Sequence, residues 1–391
     1  SYEQNKYDMQ HPVAITSIPE LDILHHEKSG TNGADDITSV DINNINISSK
    51  VKCGFFGAYN IFPDHPGFMT GETDTAKPEY AGYKQYMNNF MNTQKKYPVL
   101  ISEFGLSTSM GSSQVGGTGY RDGQNSEEKQ GNGIASMMNI IKDSGCMGGL
   151  VYEWADEWGT SGPNTSPLMI PYKRSDLWHN MTEPAQSYGI LALEPETPKD
   201  YAMSIRGSGP LKSIAYTANE SYFYVKVSFS EVPDFSKKNI MIYLDTVDRK
   251  KGEYMLAPDV LENWSGVEYN INIQNKNKAN LLVIPTYNAS KGSYYTTVST
   301  YGIFEKMTRQ LSIDNKTSSA KYEDGSNLVP GNFEDSINNF YFEGKTLYLR
   351  IPWARLNFTD PSSLLVLDDN KNKGVLKNTK NALSVRMTDG I

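Results

Sequence analysis

The sequence predicts a multidomain chain of two classes, α/β over residues 1–197 and all-β over residues 198–391. Three observations predict it. Up to about residue 195, short apolar runs alternate with segments of helical periodicity, the pattern of a parallel sheet with crossover helices. From about Tyr201 onward, runs of alternating apolar and polar residues are separated by Asn, Lys, Gly and Asp turns. Between the two lies PETPKD, where the character of the chain changes.

In the first region the predicted strands are VAITSI (13–18), GFFGAYNIF (54–62), PVLISEF (98–104) and GGLVYEW (148–154). Between the second and third, Tyr80, Tyr83, Met87, Phe90 and Met91 fall three or four apart and predict an amphipathic helix facing the sheet. Between the third and fourth, Asn125 with Glu128 forms a capping box. Ile134, Met137, Met138 and Ile141 supply the apolar stripe there, and Gly145 ends the helix. Four such repeats make half of a TIM-type (β/α)8 barrel, with two open sheet edges and an uncovered face. In the second region SYFYVKVSFS, NIMIYLDT, GVEYNINI, NLLVIPTY and TLYLRIPW predict an antiparallel β-sandwich.

Composition excludes some classes. The net charge is -8, which argues against a nucleic-acid partner, and no run approaches the roughly 20 apolar residues of a membrane span. Cys53 and Cys146 sit in apolar segments without CxxC spacing, so buried free thiols are expected rather than a disulfide framework. The opening SYEQNKYDMQHP lacks the regions of a signal peptide and reads as the end of a helix, so the chain is expected to begin inside a larger protein.

In a barrel of this kind the working residues lie at the carboxyl ends of the strands. The first strand end offers Glu20, Asp22, His25 and His26, and the second Tyr59, Asn60, Asp64 and His65. The third offers Glu103, and the fourth Tyr152, Glu153, Trp154, Asp156, Glu157 and Trp158. Carboxylates that bond hydroxyls beside rings that stack on pyranose faces suit a sugar. Retaining glycoside hydrolysis needs two carboxyl groups about 5–5.5 Å apart, one attacking the anomeric carbon and one protonating the leaving oxygen. Glu103 has the position of the nucleophile, Tyr59 that of a hydroxyl orienting it, and Trp154 that of a sugar platform. Asn60, Tyr152, Glu153 and Glu157 complete the expected substrate-binding rim, with Asp156, Glu157 and Trp158 also suited to anchoring their loop. A strand-end carboxylate bonded to backbone or a cation is the plain structural alternative for Glu103. The glycine-rich stretch after Glu103, GLSTSMGSSQVGGTGYRDGQ, reads as a lid or substrate wall. It has no phosphate-loop pattern; the five histidines show no zinc spacing, and there is no GxSxG elbow.

Together these residues resemble the carboxyl-terminal half of a clan A glycoside hydrolase, the broad group that includes families 2 and 5. PVLISEFG is similar to that group's seventh strand, which makes Glu103 the nucleophile. GFFGAYNIFPDHPGF is similar to the sixth strand, with Tyr59 contacting the nucleophile, and GGLVYEWADEW to the eighth, with Trp154 lining the cleaved-sugar site. LWHNMTEPAQSYGILALEPE resembles the tail that closes such barrels in some bacterial members. IYLDTVDRKKGEY and LYLRIPWARLNFTDPSS look like a sandwich similar to family 9-type carbohydrate-binding modules. The resemblance implies a retaining hydrolase, or its carboxyl-terminal fragment, acting on a polysaccharide or oligosaccharide outside the cytoplasm, extracellularly or in the cell envelope.

The clan's acid/base, a carboxylate after an Asn on the fourth strand, has no counterpart here. Glu153 and Glu157 would approach the sugar from the wrong side. Either a separate or cleaved chain completes the barrel, or the polypeptide is a non-catalytic glycan-binding or cell-surface assembly protein on a degenerate barrel. A structural module that associates through its open edges is a third reading. No cofactor is expected, apart from calcium at Asp245, Asp248 and Glu268 in the sandwich, which compete with a turn-capping role. Trp264 and Trp353 are possible stacking platforms there, with Trp353 reading as core.

Overall fold

The computed structural model describes residues 2–17, 40–64, 80–115, 120–162, 165–169, 171–201, 203–248, 250–252, 266–289, 303–311, 322–368, 376–378 and 384–388. After a short helix α1 (Tyr2–Tyr7), strands β1 (Val13–Ser17), β2 (Phe55–Asn60), β3 (Val99–Phe104) and β4 (Gly148–Val151) pair in that order, all parallel. Helix α2 (Ala81–Thr93) joins β2 to β3, and α3 (Glu127–Asp143) joins β3 to β4. The sheet does not close into a barrel among the described residues: β1 and β4 are its edges.

One face of this sheet is packed and the other is open. Tyr83, Met87 and Phe90 of α2, with Met137 and Ile141 of α3, bury against Tyr59, Val99, Ile101 and Phe104. The apolar stripes place both helices on that face, because residues three and four apart share one side of a helix. The opposite face carries Thr16, Phe56, Leu100 and Leu150, which are half-buried or exposed. The N-cap of α3 differs from the expected box: Ser126 accepts from the Lys129 amide, while Asn125 donates to the Ser107 carbonyl at 2.9 Å. Gly145, at φ +85°, ends the helix as expected.

The remainder is antiparallel. Strands β5 (Met203–Arg206), β6 (Leu211–Ala218), β7 (Tyr222–Phe229), β8 (Ile240–Asp245), β9 (Tyr269–Asn275) and β10 (Lys278–Val283) are followed by four short strands. Those are β11 (Glu305–Lys306), β12 (Thr308–Gln310), β13 (Tyr322–Asp324) and β14 (Asn327–Leu328). Then come β15 (Phe340–Glu343), β16 (Thr346–Pro352), β17 (Phe358–Asp360), β18 (Leu365–Leu367), β19 (Leu376–Asn378) and β20 (Ser384–Thr388). One sheet runs β15-β16-β7-β6-β5 and another β11-β10-β9-β8-β20, with β14 also on β10. Val225, Val227, Leu347 and Leu349 from the first meet Ile242, Leu244, Ile271, Ile273 and Leu281 from the second in one core, a face-to-face sandwich. Strands β12 and β13 pair separately, as do β17, β18 and β19. Trp353 is core as expected, its indole N–H donating to the Asn219 carbonyl at 2.8 Å. Among the described residues no helix is long and apolar enough to cross a membrane.

The stretch after Glu103 departs from expectation. Residues 104–112 are buried rather than forming a lid. Their backbone bonds to the distant tail, Thr108 N–H to the Ser187 carbonyl (2.9 Å) and Met110 N–H to the Met181 carbonyl (2.7 Å). Met110 and Met181 then pack on Tyr222 and Tyr224 of β7. Arg355 donates to the Met110 carbonyl, and Glu323 accepts from the Ser112 amide while pairing with Arg309. The segment is therefore the seam between the parallel sheet and the sandwich. Cys53 is exposed, not buried as expected, and Cys146 is half-buried; both thiols are free.

Candidate functional site

Strict alternation along β3 would put Glu103 on the helix-facing side, with Val99 and Ile101, where an ionised carboxylate has no solvent. A bulge prevents this. Tyr59 pairs with Ile101, but the next pair is Asn60 with Glu103, so Ser102 is the extra residue. One inserted residue exchanges the faces of all that follow. Glu103 thus joins Asn60 on the open face, and Phe104 takes the buried position facing Val151 of β4. This is how an apolar strand ends on a charge.

Around Glu103 the polar contacts are local. Ser102 Oγ donates to Asn60 Oδ1 at 2.7 Å. Partial burial raises the Glu103 pKa, and hydrogen bonding from Asn60 pulls it back down. Tyr59 is not the orienting group that the sequence suggested. It lies one residue before the bulge, so its ring faces the helices, edge-on to Phe90, and its hydroxyl donates to the Val40 carbonyl at 3.0 Å.

The end of β4 adds acids and rings. Burial first, then the charges of Glu157, Asp156 and Glu103, push the Glu153 carboxyl up to about 7. The contact with the Glu157 side chain acts in the same direction. Burial and the charges of Glu153, Glu157 and Glu103 push the Tyr152 hydroxyl up to about 12. Trp154 stands 75% exposed, its ring free on the surface. The arrangement combines a strand-end carboxylate, an acid whose pKa is raised and an open indole, the inventory that binds polyhydroxylated rings.

Two features escaped sequence reasoning. Phe62, Tyr152 and Tyr188 form an edge-to-face triangle with centroids 5.5–6.0 Å apart. Tyr188 comes from the tail, whose backbone continues along the end of β4 through Glu153 N–H to the Tyr188 carbonyl (3.2 Å). No local pattern announces that pairing. Gly105 is the other: a Cβ there would lie 2.1 Å from the Tyr152 carbonyl oxygen, so β3 and β4 approach closely beside the site.

Other candidates have structural roles. Asp156 is buried and accepts from the Gly189 and Leu193 amides at 2.9 and 3.0 Å, anchoring the tail. Trp158 stacks on the buried His179 ring at 5.4 Å. Asp64 is buried and accepts from Gln114. Glu20, Asp22, His25, His26, His65 and Trp264 lie outside the described residues. In the sandwich, Asp248 is exposed and accepts from the Lys250 amide, whereas Glu268 is buried and accepts from Thr246. No group of three His, Cys, Asp or Glu able to hold a metal occurs among the described residues.

No family model matches the chain. No curated protein matches it. Among solved structures it is similar to a Bacteroides uniformis β-glucuronidase at 12% identity and TM-score 0.21, over 58% of this chain and 24% of that one. It is also similar to a putative β-galactosidase from Bacteroides fragilis at 12% identity and TM-score 0.22, over 59% of this chain and 30% of that one. The chain spans less than a third of either glycosidase, and likeness at such scores carries no argument about activity.

Proposed function

We propose that residues 1–197 form the carboxyl-terminal half of a glycoside hydrolase barrel, that residues 198–391 form an accessory glycan-binding sandwich, and that the strand-end rim holds a polysaccharide or oligosaccharide outside the cytoplasm. The observation that carries the reading is the bulge that turns Glu103 onto the open sheet face beside Asn60, one strand from Glu153 and the exposed Trp154. In this reading Glu103 attacks the anomeric carbon as the nucleophile of a retaining mechanism. Asn60 holds it ionised and oriented, in place of Tyr59. Glu153 bonds a sugar hydroxyl, with Glu157 and Tyr152 beside it, and Trp154 stacks on the pyranose face. The acid/base comes from outside this chain, on the half that would cover the open face.

Replacing Glu103 by Gln in the complete protein abolishes hydrolysis while leaving the fold and glycan affinity intact. Hydrolysis at near-normal rate in that variant overturns the nucleophile assignment. A second reading, a non-catalytic glycan binder, is favoured by the open face and by the lack of an Asn-Glu at the ends of the four parallel strands. It is distinguished by glycan affinity, lost on Trp154→Ala, without hydrolysis even when the other barrel half is supplied.

A further inference from the structure

The seam between the parallel sheet and the sandwich holds a partly open cavity of about 310 Å³, at the lower end of the range of small-molecule sites. Met110, Val329 and Ile337 give it apolar walls, and Arg121 and Arg355 place two guanidinium groups on its lining. Arg355 is 8% exposed. Among the described residues both arginines are held by neutral acceptors. Arg355 donates to the Asn327 and Met110 carbonyls at 3.2 and 2.9 Å, and Arg121 to Gln124 Oε1 and the Tyr322 carbonyl at 3.2 and 3.0 Å.

The nearby carboxylates are occupied elsewhere. Asp324, which also lines the cavity, pairs with Lys306 at 2.7 Å, and Glu323 pairs with Arg309. Both carboxylates also act on Arg355 through their charge, but Arg121, Arg355, Arg309 and Lys306 together outnumber Glu323 and Asp324 by two charges. A guanidinium has five N–H donors, and each of these has spent only two, leaving three to meet an oxyanion. Desolvating cations in excess of their counter-ions is costly, and a planar or tetrahedral oxyanion bridging the pair lowers that cost.

We propose that this cavity binds a small organic anion, its carboxylate or phosphate held by Arg121 and Arg355 and its carbon body against Met110, Val329 and Ile337. Arg121 and Met110 come from the segment after β3, and Arg355 from the segment after β16, so the ligand ties the two parts together. None of these residues belongs to the Glu103 rim, and the inference does not depend on the glycosidase reading.

The test is calorimetric titration and thermal melting of the intact chain with inorganic phosphate, glucose 6-phosphate and glucuronate, with glucose as the neutral control. Saturable binding of an anion, with a raised Tm and no response to glucose, is expected. Phosphate-type probes alone identify a phosphate ester, and glucuronate alone a carboxylate. Arg121→Gln, whose partly exposed side chain can be shortened without emptying the core, lowers the affinity at least tenfold; Arg355→Gln does the same if it folds. Glu103→Gln leaves it unchanged. No binding of any of the three anions, equal binding of glucose, or unaltered affinity in Arg121→Gln overturns the proposal.

Discussion

Asn60 stands opposite Glu103 across the β2–β3 pair, one residue out of step with the Tyr59–Ile101 pair before it. Everything proposed for the rim depends on that slip, because it decides which face the carboxylate occupies. The Asn60 amide stabilises the ionised form against partial burial. Asn60→Leu therefore raises the Glu103 pKa, since burial then acts unopposed. Following the Glu103 carboxyl carbon by NMR through a pH titration checks the direction. An unmoved midpoint in the variant removes Asn60 from the role.

Glu153 gives a complementary case. After burial, the largest cause of its raised pKa is the charge of Glu157. Glu157→Gln removes that charge, so the Glu153 midpoint falls from about 7 but stays above the ordinary 4.5, because burial is unchanged. The same NMR titration reads it.

Much of the fold is legible in the sequence. The four parallel strands, the two apolar helix stripes and the main sandwich strands follow from period 2 and period 3.6, which local residues set. The face of Glu103 is not legible, because a bulge is one extra residue in a pairing, and the pairing partner lies more than 40 residues away. The same limit misplaced Tyr59: as the strand-end aromatic before the bulge, its parity points it to the helices. Residues 104–112 carry loop composition, yet they are buried by hydrogen bonds to residues some 70 positions later. Asn125 resembles an N-cap, but its amide is taken by Ser107, so Ser126 caps instead.

The seam contains a buried ion pair whose loss has a calculable sign. Glu323 is 4% exposed and accepts from Arg309 and the Ser112 amide. Arg309→Ala leaves that carboxylate buried beside its remaining amide donor. Removing one partner of a buried pair costs about 3–5 kcal/mol. Urea unfolding, read as a midpoint change at constant slope, checks it.

Stability also depends on pH through Glu268. Burial pushes its carboxyl up to about 8, against 4.5 for the ordinary group, although Thr246 bonds pull the other way. Between those two values the folded chain keeps a proton that the unfolded chain has released. The unfolded state then binds fewer protons, so stability is full below about pH 4.5 and is lost as pH rises through about 8. Glu268→Gln keeps the acceptor for the Thr246 amide and cannot ionise, so its Tm falls less between pH 5 and pH 9 than that of the parent. Parallel melts across that range decide it.

Helix α3 offers a paired test of how closely it packs on the segment after β3. A Cβ built on Gly131 meets nothing within 4 Å, whereas one on Gly133 lies 2.3 Å from Leu106 Cδ1 and from Tyr80 Oη. Both glycines are interior to the helix, where alanine is favoured by roughly 0.5–1 kcal/mol. Gly131→Ala therefore raises stability by about that amount. Gly133→Ala gains the same propensity but must displace a buried leucine and tyrosine, and overpacking of this kind costs about 1–3 kcal/mol. The net sign reverses at the second site. Opposite shifts in the urea midpoint, two residues apart on one helix, are the expected outcome. Stabilisation at both would mean that the helix sits further from Leu106 than these distances place it.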